Sequence, residues 1–435
     1  MEILKVERLP MRIVTPSTQT SRHTAISNEK QVSLTAPAAH VVLSLADMAL
    51  PPFFYVSMLF AFQAAAAVAV CRLEDALRQV LLDYGEFAGA YGQDPSGQPC
   101  LHLTSQGVAF FEARAPTHSL NDGWHFQPDV SMVSLLPPYA EQLLGIQVTT
   151  FACGGISLGV VCNHQVADGE GLCQLMEAWA ATVRGEAIPC APCHVRSALI
   201  GPRTWEPIRT ATPPVWKVTG ALNYEDPVIR KRLCIDGNRV KEIKAQVEAG
   251  PYKYSTFVSV LSRVWKCIMV AQGLDKEDKE GESNLTFAVS LRKRMVPELP
   301  KGYFGNAVCH VYPKIKIKDL VSKPLAFTAR IVHDAIEEVN RKAATLPPSD
   351  VVHPIPPKER PKVTTSPRRD FFVATWSWLP FYDVDFGGGP PLFAGNPFEG
   401  FPGIVYFTPS LKRDGGIVVE LALLPPWMQK FESLF

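Results

Sequence analysis

A histidine and an acid break into one of the most apolar stretches of this chain. LLGIQVTTFACGG and ISLGVVCNHQVADGEG, between Leu143 and Gly185, read as two strands dense in β-branched and apolar residues, separated by a Gly-Gly pair. GLCQLMEAWAATVRG follows as a helix, with Leu172, Leu175, Met176 and Trp179 at helical spacing. His164 and Asp168 sit between strand and helix, ahead of Gly169. A buried polar group costs roughly 2–7 kcal/mol unless it is paired, so two of them at a strand end call for a reason. An imidazole titrating near about 6.5 could take a proton from an attacking group at neutral pH. The ordinary alternative is a core histidine satisfied by a backbone carbonyl, and the spacing alone leaves both open.

A second constellation lies about 220 positions later. Tyr382-Asp383-Val384-Asp385-Phe386-Gly387-Gly388-Gly389-Pro390 places three glycines after an acid, where free φ angles permit close approach or a sharp bend. As a phosphate cradle it is weak, because no helix pattern follows. Two other patterns are set aside. Cys190-Ala191-Pro192-Cys193-His194 has the form of a haem attachment site, but it lies in a linker with neither an export signal nor a haem-protein helix pattern. His333 and Glu337 share a helix face without the second histidine that a zinc protease needs, and no metal site is expected.

These residues must be positioned by an ordinary globular framework. At 435 residues, 47% hydrophobic and 20% charged, the chain has ample core for two or three domains. A formal net charge of +1 gives no footprint for nucleic acid or an anionic membrane. Ten cysteines are scattered, several in apolar strands, and MEILKVERLPMRIVTPS alternates like a first strand rather than a leader. Reduced thiols and a cytoplasmic location are therefore expected. Phe53 to Val70 imitates a membrane span, but its aromatic, branched first half and alanine-rich second half, running into CRLEDALRQVLLDYGEF, predict a strand followed by a helix. Thr15–Pro37 and Val351–Asp370 read as surface loops. The prolines of Glu186 to Val215 suggest a crossover between two mixed strand–helix halves. In the second half, LTFAVSLR, GYFGNAVCHVYPKI and FFVATWSWLPF are expected strands, and TFVSVLSRVWKCIMVAQ is a helix with Ser255 as its N-cap.

Taken together, in this order and separation, the two motifs resemble those of the BAHD acyl-CoA-dependent acyltransferases of plants. That family carries His-x-x-x-Asp-Gly mid-chain and Asp-Phe-Gly-Trp-Gly near the C-terminus. LSLADMALPPFFYVSMLFAF, LLDYGEFAGAYG, LRKRMVPELPKGYFGN and VVELALL also sit where the family has related segments, so the resemblance spans nearly the whole chain. It implies an α/β fold with mixed sheets, built as two chloramphenicol-acetyltransferase-like domains around a central channel. The expected division is 1–187 with the histidine motif, 188–215 as crossover, and 216–435 with the Asp-Phe-Gly-Gly-Gly motif. It further implies a monomeric enzyme with no permanently bound cofactor, using acyl-CoA and a small-molecule amine or alcohol.

In that resemblance His164 is the general base for direct attack on the thioester. Asp168 points away and pairs with an arginine, here Arg292 or Arg294, and Asp385 is structural in the same sense. Ser255 and Lys253 match CoA-binding positions. Gly388 departs from the family's usual tryptophan, so its role in stabilising the oxyanion or shaping the pocket must be filled otherwise. Asp-Phe-Gly-Gly-Gly preceded by PFYD is similar to the agmatine/tryptamine hydroxycinnamoyltransferase branch. Shikimate and quinate enzymes place an arginine handle where this chain has Trp378. An amine fits better, with Asp383 for the cation and Trp376 or Trp378 for a ring face. The expected activity is therefore transfer of a hydroxycinnamoyl-type group to an amine. The rivals are an alcohol acceptor with the same base, and a non-catalytic binding relative.

Overall fold

The two apolar runs before His164 form an antiparallel hairpin, Leu144–Phe151 against Ile156–Asn163, with Leu144 opposite Cys162 and Thr150 opposite Ile156. Almost every residue of both strands is buried, which is why they read as continuous apolar runs rather than alternating ones. Strand Tyr55–Phe62 pairs antiparallel along the hairpin's other edge, bringing Tyr55 opposite Asn163. In the computed structural model these strands belong to one of two compact units, each with its own seven-stranded sheet. The structure describes residues 4–17, 40–50, 54–64, 68–120, 126, 128, 130–138, 141–199, 228–248, 252–352, 368–397 and 402–435.

The first unit contains residues 1–208, 299–307 and 380–397. Its sheet runs in the order Glu7–Arg8, Val108–Ala115, Leu144–Phe151, Ile156–Asn163, Tyr55–Phe62, Phe393–Gly395, with Arg12–Val14 also on Val108–Ala115. Val108–Ala115 and Leu144–Phe151 are parallel and the other pairs antiparallel. Helix Gly169–Arg184 packs beside helix Val70–Val80, where the Trp179 indole N–H donates to the Leu73 carbonyl at 2.9 Å.

The second unit contains residues 209–298, 308–379 and 398–435. Its sheet runs Ile229–Ile235, Ile417–Leu423, Ile404–Pro409, Asp370–Thr375, Glu282–Ser290, Val308–Val311, again mixing parallel and antiparallel pairs. Helices Gly237–Val247, Thr256–Ala271, Leu325–Thr345 and Pro425–Leu434 belong to it. Arg232 and Glu420 face each other across neighbouring strands as a buried ion pair at 2.8 Å.

The mixed α/β class and the strand-then-helix reading of the Phe53–Val70 segment hold for the described residues, with strand Tyr55–Phe62 and helix Val70–Val80. Among them no helix is long and apolar enough to cross a membrane. The compact units are not contiguous in sequence: segments 299–307 and 380–397, the latter with the Asp-Phe-Gly-Gly-Gly run, cluster with the first unit. Strand Phe393–Gly395 takes the run there by pairing with Tyr55–Phe62. Two strand expectations, GYFGNAVCHVYPKI and FFVATWSWLPF, are corrected. GYFGNAVCHVYPKI is a strand only at Val308–Val311, followed by the short Lys314–Lys316. Gly302 and Gly305 at φ +77° and +135° prevent the strand from starting earlier. FFVATWSWLPF stops being a strand at Thr375. Most of the 188–215 crossover, and nearly all of the loops expected at 15–37 and 351–370, lie outside the described residues.

Candidate active site

His164 leaves the end of strand Ile156–Asn163 with its backbone N–H donating to the Phe54 carbonyl at 2.8 Å. Its ring stacks on Phe54 with centroids 5.4 Å apart and planes 11° from parallel. The residue is half-buried, with its Nδ1 buried and without a hydrogen-bond partner among the described residues. Burial pulls its pKa below the ordinary 6.5, opposed by its own backbone carbonyl, Asp168, the Asn306 side chain and Asp47. The net result is a neutral imidazole at pH 7, the form a general base needs.

Asp168 is the N-cap of helix Gly169–Arg184 and accepts the Gly171 N–H at 3.0 Å through Oδ1. Its Oδ2 accepts the Ala307 N–H at 3.0 Å. The carboxylate thus ties the motif helix to segment 299–307. Arg292 and Arg294 both lie in the second unit. Arg292 is buried, and Arg294 donates to Asn340 Oδ1 at 2.7 Å and to the Ser290 carbonyl at 2.8 Å.

The second motif occupies the other end of the same helix. Arg184, in its last turn, donates to the Asp385 carbonyl. Asp385 Oδ1 accepts the N–H groups of Gly387 and Gly389 at 2.7 and 2.8 Å, both glycines having positive φ. Burial pushes the Asp385 carboxyl up, but those N–H groups and Arg184 outweigh it and hold it below its ordinary value. Phe386 packs edge-on against Trp179 and Phe62. Sixteen residues separate the helix ends, about 24 Å at roughly 1.5 Å per residue. Asp385 is therefore out of reach of chemistry at His164. Asp385→Ala is expected to cost about 2 kcal/mol through the lost charged hydrogen bonds, read as a lower Tm, without moving the pH profile of the remaining activity.

The other expected site residues are spread over both units. Asp383 is exposed at the end of the short turn Phe381–Asp383 and acts electrostatically on Glu177 of the motif helix. Trp376 is half-buried against Tyr406 at 5.4 Å, whereas Trp378 is 53% exposed and is no core residue. Ser255 caps helix Thr256–Ala271, its hydroxyl accepting the Val258 N–H at 3.2 Å, and Lys253 is exposed just before it. A helix N-terminus beside a lysine suits an anionic group such as a phosphate.

The sequence reading missed the polar floor under the His164 loop. Arg196, buried, donates to the Val166 carbonyl at 2.8 Å and the Gln165 carbonyl at 3.4 Å. It pairs with Asp47 at 2.9 Å and lies 3.9 Å from Glu86, which also binds His194 Nδ1 at 2.7 Å. Asp47 is fixed by a capping box with Ser44. Phe304 lies edge-on to Tyr84 and Phe87, with Arg196 5.9 Å over its ring. A Cβ on Gly305 would come 3.0 Å from the Arg196 guanidinium carbon, so glycine is needed for the approach. The Cys-x-x-Cys-His segment is part of this floor: Cys193 exchanges backbone hydrogen bonds with Gly302 and Phe304 at 2.8 and 2.9 Å. Two signals could have found it: a lone acid in the apolar LSLADM run, and Asn306 after two glycines.

A family model described as the Transferase family matches residues 19–435. Among curated proteins, agmatine coumaroyltransferase-1 of Hordeum vulgare is 30% identical over 404 residues, covering 87% of this chain and 89% of that protein. Tryptamine hydroxycinnamoyltransferase 2 of Oryza sativa subsp. japonica is 29% identical, covering 88% and 90%. Shikimate O-hydroxycinnamoyltransferase of Nicotiana tabacum is 28% identical, covering 83% and 86%. Among solved structures, vinorine synthase superposes with a TM-score of 0.72 at 20% identity, covering 99% of this chain and 98% of that one.

Proposed function

Because the chain belongs to the BAHD transferase family, whose members use CoA thioesters as co-substrates, we propose that it transfers a hydroxycinnamoyl-type acyl group from acyl-CoA to an amine. The observation that carries the chemistry is His164: a half-buried imidazole stacked on Phe54, its Nδ1 buried and its pKa held below the ordinary 6.5 by burial. Nε2 takes the proton as the acceptor attacks the thioester carbonyl, and the departing CoA thiolate or solvent receives it afterwards. No acyl-enzyme is required. Asp168, with Arg292 or Arg294, and Asp385 hold the site without reacting. Ser255 and Lys253 are the proposed contacts for CoA.

Relatives named for agmatine, putrescine and tryptamine support the amine acceptor, as does Trp378 in place of an arginine handle. Asp383 is the proposed cation partner, with Trp376 or Trp378 as the ring face. The relative named for shikimate keeps an alcohol acceptor as the second reading. A mixed assay by mass spectrometry, offering several acyl-CoAs against pooled amines and alcohols, separates the two; amides are expected, and esters without amides would sink the amine assignment. The pH dependence gives a second criterion. An ammonium with pKa of about 10 must lose a proton before attack, so an amine rate keeps rising above neutrality where an alcohol rate levels off.

A further inference from the structure

Segment 299–307 reaches the His164 loop with two consecutive residues. The Ala307 N–H goes to the Asp168 carboxylate at 3.0 Å, and Asn306 Nδ2 donates to the His164 carbonyl at 2.7 Å. The same Nδ2 donates to Asp47 Oδ1 at 2.9 Å, and the Asn306 backbone N–H to the same oxygen at 2.8 Å. Asn306 and Asp47 are both fully buried. The orientation of the carboxamide is therefore dictated: a carboxylate and a carbonyl can only accept, so the NH₂ end faces them and Oδ1 is turned away. Two buried atoms are then left over, one on each side. Asn306 Oδ1 and His164 Nδ1 both lack a partner at normal hydrogen-bond geometry among the described residues. One is an acceptor and the other can be a donor. Burial disfavours the charged ring, while the ring's own backbone carbonyl, Asp168 and then the Asn306 side chain favour it.

We infer that Asn306, backed by Asp47, is a positioning residue for His164: it anchors the loop through the His164 carbonyl and offers Oδ1 to the ring Nδ1–H, so that Nε2 is the free base. Apo geometry at a catalytic hydrogen bond is often loose and tightens in the reacting complex. As the ring becomes imidazolium, the Nδ1–H donor strengthens, and Oδ1 stabilises that charge where the attacking group has just lost its proton. Asp47 is the second element of the device. Its charge orients the carboxamide and is itself balanced by Arg196. The charged groups acting on the ring are Asp168 and Asp47; neither is altered by replacing Asn306.

This inference rests on the reading of His164 as the base, and the test keeps the two apart. Asn306→Ala and Asn306→Ser are compared with wild type and His164→Ala, with CoA binding by calorimetry as the measure of intact fold. Loss of a hydrogen bond to a charged group is worth roughly 10- to 100-fold in rate, so kcat for Asn306→Ala should fall by that much with CoA affinity within about threefold. The acid limb of the kcat/KM–pH profile should move to lower pH, because an acceptor that favours the charged ring has been removed. Asn306→Ser, which keeps a hydroxyl acceptor, should lie between the two, and it carries the test if the alanine variant does not fold. Activity within threefold of wild type, or a loss with the acid limb unmoved, overturns the positioning role. Full activity in His164→Ala overturns the base itself.

Discussion

Replacing His164 by alanine is expected to lower kcat/KM by about 10³-fold, inside the roughly 10²- to 10⁴-fold contribution of a positioned general base, while CoA still binds. The imidazole contributes to the proton transfer and not to substrate binding, so the loss belongs in kcat. The pH profile of the wild type carries the same claim. Burial disfavours the charged ring and places its pKa below 6.5. Below that pKa the ring holds the proton and cannot act; above it the base is available. The kcat/KM for a neutral acceptor should therefore rise with pH and flatten at a midpoint under 6.5, and His164→Ala should lose this limb. A midpoint above 6.5, or an alanine variant with wild-type rates, contradicts the assignment.

The placement of His164 at a strand end was legible in the sequence because it broke a pattern. His164 ends an apolar strand, and Asp168 followed by Gly169 opens a helix with an N-cap that sequence rules recognise. Ser255 was legible for the same reason. What surrounds His164 was hidden, since its partners lie far apart in the chain. Asn306 meets His164 across 142 positions and Asp47 across 259, and no periodicity encodes such a contact. Residues 302–307 were misread as the start of a strand because Tyr303, Phe304 and Ala307 are apolar enough for one; all three are buried in a loop instead, with Phe304 under Arg196. Chain order says nothing about which sheet the three-residue strand after the Asp-Phe-Gly-Gly-Gly run joins. Phe393–Gly395 is too short to announce itself.

Arg196 shows the same limit most clearly, and its replacement by methionine is expected to have the largest effect on stability. Prolines and irregular spacing marked residues 188–215 as linker, a reading that gives no reason to look there for a buried arginine. The Arg196 side chain is 1% exposed and lies between Asp47 and Glu86, themselves 0% and 1% exposed. Removing one member of a buried ionic cluster leaves the others uncompensated and typically costs about 3–5 kcal/mol. Arg196→Met also strips the Gln165 and Val166 carbonyls of their donor. For a unit of this size the loss corresponds to a fall in Tm on the order of 10 °C. The cost comes from stranded charge and not from lost volume, because methionine is also long and apolar. Asp47→Asn in the same chain should therefore restore part of the Tm, giving a double-mutant coupling of at least about 1 kcal/mol. Glu86→Gln should restore less, since Glu86 is 3.9 Å from the guanidinium and keeps His194 as a partner. Equal and additive losses in all three variants would show that Arg196 acts by packing alone, and that the floor under His164 is held by shape and not by charge.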